Sequence, residues 1–152
     1  NAVPRQIDLP AARRGQVRHY RIGPALRPYD DPTYAHLVER FEGVGLRPLS
    51  PAHVRAVSGE EGLDLSWTRR TRIDGDGWEL TDVPLGEERE AYRVRVLQGG
   101  TVLREVEVDG PSWRYSAEMQ AEDGVLGTVT VEVAQISARF GPGAVRYLPV
   151  SL

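Results

Sequence analysis

Tyr92-Arg93-Val94-Arg95-Val96-Leu97-Gln98-Gly99-Gly100-Thr101-Val102-Leu103-Arg104-Glu105-Val106-Glu107-Val108 decides the fold. Tyr92, Val94 and Val96 alternate with Arg93 and Arg95, and Val106 and Val108 alternate with Glu105 and Glu107. Period-two alternation sends successive side chains to opposite faces, so each run reads as a strand with one buried and one solvated face. The glycine pair between them reads as a hairpin. A two-residue loop would set Val94 against Glu105 and Arg95 against Arg104. A three-residue loop, Gly99 to Thr101, sets Val94 against Val106, Arg95 against Glu105 and Arg93 against Glu107. Opposite-charge cross-strand pairs contribute about 0.2–1 kcal/mol each, and a one-residue slip flips every side chain. The sequence therefore predicts the three-residue loop with a glycine bulge.

The same alternation recurs on both sides of this hairpin. Val54 and Ala56 alternate with His53 and Arg55; Leu63, Leu65 and Trp67 with Asp64 and Ser66; Trp113 and Tyr115 flank Arg114; Val129, Val131 and Val133 flank Thr130 and Glu132. Short alternating strands separated by Gly- and Pro-rich turns predict an all-β fold, an antiparallel β-sandwich with each strand half buried. Ile136 and Ala138 fall on the opposite parity from Val133, which predicts a bulge near Ala134-Gln135. Ser116 to Ala121 reads as a short helix with Ser116 as N-cap and Gly124 beyond its end.

Pro48 and Pro51 mark a seam. Neither can donate to a strand ladder, and each pushes its predecessor toward extended geometry. The expected division is a smaller β-rich segment over 1–47, belonging to a preceding domain, and the sandwich over 48–152. Within 1–47, Val17 to Ile22 reads as a strand. Tyr34, Leu37, Val38 and Phe41 have helical spacing, with Asp31 placed as N-cap and Pro32 at the first helical position. The same stretch also makes a strand with Ala35, Leu37 and Phe41 on one face, and the β neighbourhood favours the strand.

Composition narrows the function. The 152 residues contain no cysteine, which excludes a disulfide framework, a thiol nucleophile and a thiolate zinc site. The net charge of −3 and a pI near 5.7 argue against a general or sequence-specific nucleic-acid binder. All 19 basic residues are arginine, as coding bias in a GC-rich genome would produce. No apolar run approaches the roughly 20 residues of a membrane span, and no signal-peptide pattern opens the chain. The chain starts at Asn1 in mid-phrase and is expected to be a piece of something longer.

Candidate chemistry is sparse. Asp74-Gly75-Asp76-Gly77 suggests calcium, but counting an EF-hand loop from Asp74 places Glu79 at its glycine position and Leu85 at its glutamate position. A pair of Asp-Gly turns is the better account. His19, His36 and His53 share no metal-ligand spacing on a common element. No nucleophile elbow, phosphate loop or dinucleotide fingerprint occurs, so no catalytic residue, cofactor or metal is expected. Arg69-Arg70-Thr71-Arg72 faces Glu87-Glu88-Arg89-Glu90 across a long loop, and an ion-pair network outweighs phosphate binding. Trp67 reads as core and Trp113 as core or rim, whereas Trp78 sits in the loop and is free to meet a protein or a sugar. Arg69, Arg70, Arg72, Trp78, Glu87 and Glu88 are the expected contact residues.

From Pro48 onward the chain resembles a fibronectin type III module: Trp67 on the second strand, Tyr92 opening the third, and Thr128 to Ala138 running as the sixth strand into Gly141-Pro142-Gly143. The long Thr71–Glu90 loop and the helix at 116–123 depart from that pattern. A second resemblance covers nearly the whole chain. YRIGPALRPYDDPTY (20–34), FEGVGLRPLSPAHVRA (41–56), LSWTRRTRIDGDGWELTDVPLGEEREAYRVRVL (65–97) and TVEVAQISARFGPGAV (130–145) are similar to the C-terminal region of the megatron tail-tip proteins. These belong to alphaproteobacterial gene transfer agents and related phages. That resemblance implies a non-enzymatic component of a tail baseplate, made in the bacterial cytoplasm and carried on a virion-like particle. It further implies contacts with other baseplate and hub proteins and a homotrimer about the tail axis. The alternative expectation is a domain of the tail tip that binds a cell-surface receptor or bacterial surface polysaccharide.

Overall fold

The computed structural model describes residues 7–72 and 85–152. The chain divides into two compact units, Asn1–Leu46 and Arg47–Leu152.

In the first unit, β1 (Val17–Ile22) pairs antiparallel with β2 (Ala35–Arg40), Val17 opposite Arg40 and Ile22 opposite Ala35. Asp31 does not cap a helix. Its carboxylate accepts from the Thr33 amide at 2.9 Å and the Thr33 hydroxyl at 2.6 Å, a local turn that feeds the chain into β2. Those two hydrogen bonds hold the Asp31 carboxyl below its ordinary range. The Tyr34 hydroxyl closes the intervening loop by donating to the Pro24 carbonyl at 2.8 Å.

The second unit is a sandwich of two antiparallel sheets. One has the order β3 (Ala52–Gly59), β4 (Gly62–Thr68), β7 (Ser112–Ser116). The other has the order β10 (Arg146–Ser151), β8 (Thr128–Ser137), β5 (Tyr92–Gln98), β6 (Thr101–Val108), with the short β9 (Gly141–Pro142) on the end of β8. Leu63, Leu65, Trp67 and Tyr115 from the first sheet meet Tyr92, Val94, Val96, Val129, Val131 and Val133 from the second. Burying an apolar side chain of this size contributes about 1.5–3 kcal/mol. Trp67 lies edge-on to Tyr92, ring centroids 5.2 Å apart, and Trp113 packs partly buried against the same core. Gly62 has a fixed reason for its identity: φ is +125°, and a Cβ there would lie 2.4 Å from the Tyr115 carbonyl oxygen.

The hairpin combines both registers weighed from the sequence. Val94 faces Val106, Arg95 faces Glu105 and Arg93 faces Glu107, as the charge pairs require. The loop itself is the two-residue Gly99-Gly100, because Gln98 pairs with Thr101. Both glycines have positive φ, +58° and +86°, which suits the tight hairpin turn. The two demands differ by one residue, and the register shifts between Val96 and Leu97, where Leu103 is the extra residue of β6.

The bulge expected near Ala134-Gln135 is absent. β8 keeps one register against β5 from Thr130 through Gln135, and the Ile136 amide continues it to the Ala91 carbonyl at 2.8 Å. The buried parity runs on into Gln135 and Ser137. Ser137 is buried because its hydroxyl accepts from the Phe140 amide and starts the turn into β9. The apolar Ile136 follows the outward parity.

The short helix forms as expected, α1 (Ala117–Glu122), with the Ser116 hydroxyl accepting from the Met119 amide. Asp123, its C-cap, ties helix to core. Its Oδ2 accepts from the buried Tyr115 hydroxyl at 2.6 Å and from Arg104 Nε at 2.8 Å, while Oδ1 accepts from Arg104 Nη2 at 3.0 Å. The Arg104 hydrogen bonds, with the Tyr115 bond adding to them, hold the Asp123 carboxyl below its ordinary value. Burial, followed by the bond to Asp123, pushes the Tyr115 hydroxyl upward.

Asp123→Asn is expected to cost about 1–3 kcal/mol at neutral pH, because Tyr115 and Arg104 lose a charged acceptor. A depressed carboxyl stabilises the fold above its unfolded value near 3.9 and loses that contribution as pH falls through the lower folded value. Urea unfolding of the two proteins should therefore differ most above about pH 5, with the gap narrowing as pH falls below the unfolded value. A gap that does not narrow as pH falls would show that the charge of Asp123 is not the stabilising element.

Candidate contact surface

Arg69-Arg70-Thr71-Arg72 follows β4 directly, and Glu87 to Glu90 leads into β5, so the sandwich brings the two ends of the long loop together. Arg69 Nη1 donates to Glu90 Oε2 at 2.8 Å, and Glu90 Oε1 accepts from the Tyr92 hydroxyl at 2.6 Å. The chain of contacts thus runs from the surface into the core. Burial, then the hydrogen bond to Glu90, pushes the Tyr92 hydroxyl upward.

Arg72 Nη2 donates to Glu87 Oε1 at 2.8 Å, with Glu87 retaining 8% of its side-chain exposure. The Arg72 guanidinium lies 5.8 Å from the centroid of the Phe140 ring, and Arg139 flanks the same ring at 5.4 Å. Such cation–aromatic contacts hold a guanidinium flat against apolar surface. A cavity of about 10 Å³, enough for roughly one water, is lined by residues including Arg70, Arg72, Glu87 and Gln135. Arg70 and Glu88 are exposed. Of the expected contact residues, Arg69, Arg72 and Glu87 therefore form ion pairs within the chain, while Arg70 and Glu88 face solvent. Trp78 and the Asp74–Gly77 turns lie outside the described residues.

The outer face of the second sheet is charge-compensated across its strands. Arg95 pairs with Glu105 on one side and approaches Glu132 at 3.9 Å on the other, and Arg89 pairs with Glu107. On the other sheet Arg114 bridges Asp64, at 2.6 Å, and Glu61. Among the described residues, no group of three or more His, Asp or Glu side chains is placed to hold a metal, and no helix is long and apolar enough to cross a membrane.

Two arrangements escape the linear sequence. His53 has φ of +50°, at the register shift between Ala52 and Arg55 on β3, and it edges a depression of about 270 Å³ lined also by Arg55, Ser66, Trp67 and Thr68. Isolated histidines give no sign of a bulge. In the first unit, His19 Nδ1 and His36 Nε2 lie 3.0 Å apart, their rings nearly parallel, 14° between planes, with centroids at 5.2 Å. Seventeen residues separate them in sequence. The signal that finds them is strand register: with His19 opposite Val38, His36 is its diagonal neighbour on the same face.

No protein-family model matches the chain, and no curated protein matches it in sequence. Among solved structures it is similar to the rat CD45 extracellular region, domains d3–d4, with a TM-score of 0.51 and 9% identity. The match covers the whole of this chain and 73% of that one. At that identity the likeness concerns fold alone, and the fold is an all-β antiparallel sandwich of the fibronectin type III kind.

Glu87→Ala is expected to lower stability by about 1–3 kcal/mol, since it strips a part-buried guanidinium of its carboxylate. Arg89→Ala should shift it by less than about 0.5 kcal/mol, because both partners of that pair are exposed. Equal urea midpoints for the two variants would mean that the Arg72–Glu87 pair contributes no more than an exposed one.

Proposed function

We propose that this chain is a non-enzymatic structural module of a phage-like tail tip, acting through protein–protein contacts around the hub of a gene-transfer-agent-type baseplate. The observation that carries this reading is the run of phrases at 20–34, 41–56, 65–97 and 130–145, similar to the C-terminal region of the megatron proteins. Two features support it. Sandwiches of this kind are typically non-catalytic and present loops from a rigid frame. The Arg69–Glu90 and Arg72–Glu87 pairs tie together the chain on either side of 73–84, which fixes where that segment leaves and rejoins the sandwich.

On this reading the module works as one of three copies about the tail axis, on a particle assembled in the bacterial cytoplasm. Its contact residues are the exposed Arg70 and Glu88 together with Trp78, while Arg69, Arg72 and Glu87 hold the chain on either side of 73–84.

The test is to raise antibody against the folded 152-residue chain and apply it to purified particles from a strain that encodes it. Labelling at the tail tip is the expected result, and labelling elsewhere or not at all overturns the proposal. Arg70→Ala combined with Trp78→Ala should yield particles defective in assembly or cell attachment; unchanged particles would remove those residues from the contact. Saturable binding of the isolated chain to cells, competed by surface polysaccharide, would instead make this a receptor-recognition domain.

A further inference from the structure

We propose that the outer face of β3 and β4 carries an oxyanion site, formed by His53, Arg55, Ser66 and Thr68, that takes one carboxylate or phosphate group of a ligand. These four side chains line the depression of about 270 Å³ described above, and none of them belongs to the contacts at 69–72 and 87–90. Arg55 stands directly opposite Ser66, and Thr68 lies two residues further along β4 on the same face. All four residues are exposed.

Charge pairing sets this corner apart. On the sandwich strands Arg93, Arg95 and Arg114 stand opposite Glu107, Glu105 and Asp64. Arg55 instead faces a hydroxyl, and Asp64, the acid diagonal to it, is bound by Arg114 at 2.6 Å. Among the described residues, no hydrogen bond or ion pair occupies the side chains of His53, Arg55, Ser66 or Thr68. Besides Trp67, the depression is therefore lined by a guanidinium, two hydroxyls and an imidazole, all able to donate, with no carboxylate among them. An oxyanion satisfies such a set: the guanidinium fork holds two oxygens and supplies the charge.

The backbone gives a second, independent reason. His53 and Val54 together oppose Trp67, a bulge in which Val54 packs against the core and His53 stays at the rim of the depression. The His53 φ of +50° lies in the left-handed region, which glycine occupies without the cost of a Cβ. Strain of this kind collects at ligand contacts, and the bulge alone calls for no imidazole. The depression is smaller than the roughly 300–1,000 Å³ of pockets that enclose whole small molecules, so it suits one anionic group of a larger ligand.

The experiment is NMR titration of the intact chain with inorganic phosphate and, separately, with acetate, at constant ionic strength. Saturable shifts confined to the signals of His53, Arg55, Ser66 and Thr68 are expected, and the tighter of the two probes identifies the group. Arg55→Gln should weaken that binding by about tenfold or more, through loss of the charged fork. His53→Gly keeps the left-handed backbone, so its weaker binding would report the missing ring and not a lost bulge. Arg89→Gln removes the same charge from beside β6 and should bind as the parent does. Shifts that never saturate with either probe, or that spread evenly over the surface arginines, overturn the proposal. Unchanged affinity in Arg55→Gln or His53→Gly overturns it too, as does an equal loss in Arg89→Gln.

Discussion

Tyr92, Val94 and Val96 of β5 must all point into the sandwich at once, and every other strand of their sheet is set against that demand. β5 lies between β6 and β8, so its parity fixes which residues of both neighbours face inward. On the β8 side the fit is direct: Val94 stands opposite Val133 and Val96 opposite Val131. On the β6 side, the tight glycine turn and the charge ladder ask for registers one residue apart, and Leu103 absorbs the difference. A bulge costs local hydrogen bonding, whereas a slip would expose a whole apolar face and oppose Arg95 to Arg104. The smaller loss is the one accepted.

Two buried tyrosines extend this core outward. Tyr92 and Tyr115 are fully buried as residues, yet each hydroxyl reaches a carboxylate that is itself held by arginine. The Tyr92 route runs through Glu90 to Arg69, just beyond the end of β4. The Tyr115 route runs through Asp123 to Arg104 and so joins the helix to β6. In both, the ring supplies apolar burial while the polar tip orders a charged side chain at the surface. The surface arginines are thus coupled to core packing by short chains of charge-assisted hydrogen bonds.

The sandwich was legible in the sequence because its signals are local and redundant: alternation in β4, β5, β6 and β8, a helix cap at Ser116, and turn residues between them. The Gly99-Gly100 loop and the cross-strand charges were both readable, but nothing in the sequence marks Leu103 as the residue that reconciles them. Ile136 is apolar yet follows the outward parity, whereas Gln135 and Ser137 turn inward where the strand hands over to a turn, and the Ser137 hydroxyl accepts from the Phe140 amide there. In the candidate surface, the complementary charges of 69–72 and 87–90 were visible, but which arginine meets which glutamate depends on how β4 and β5 end. The histidine pair needs still more, the exact register of β1 on β2, which short exposed strands specify weakly.

That ribbon follows a different physical logic from the sandwich. Val17, Ile22, Leu37 and Val38 are all substantially exposed, so β1 and β2 enclose no core between them. Two-stranded ribbons are marginal in water, and this one is held by local clips: the Asp31–Thr33 turn, the Tyr34–Pro24 hydrogen bond and the His19–His36 contact. An element with so small a margin is where ligand binding has the greatest leverage. Any ligand that holds only the paired form stabilises it in proportion to the logarithm of its concentration over its dissociation constant. The His19–His36 contact joins the two strands directly, and so acts on the register itself. The sandwich, with ten buried apolar and aromatic side chains clustered among the described residues, has no comparable need of a clip.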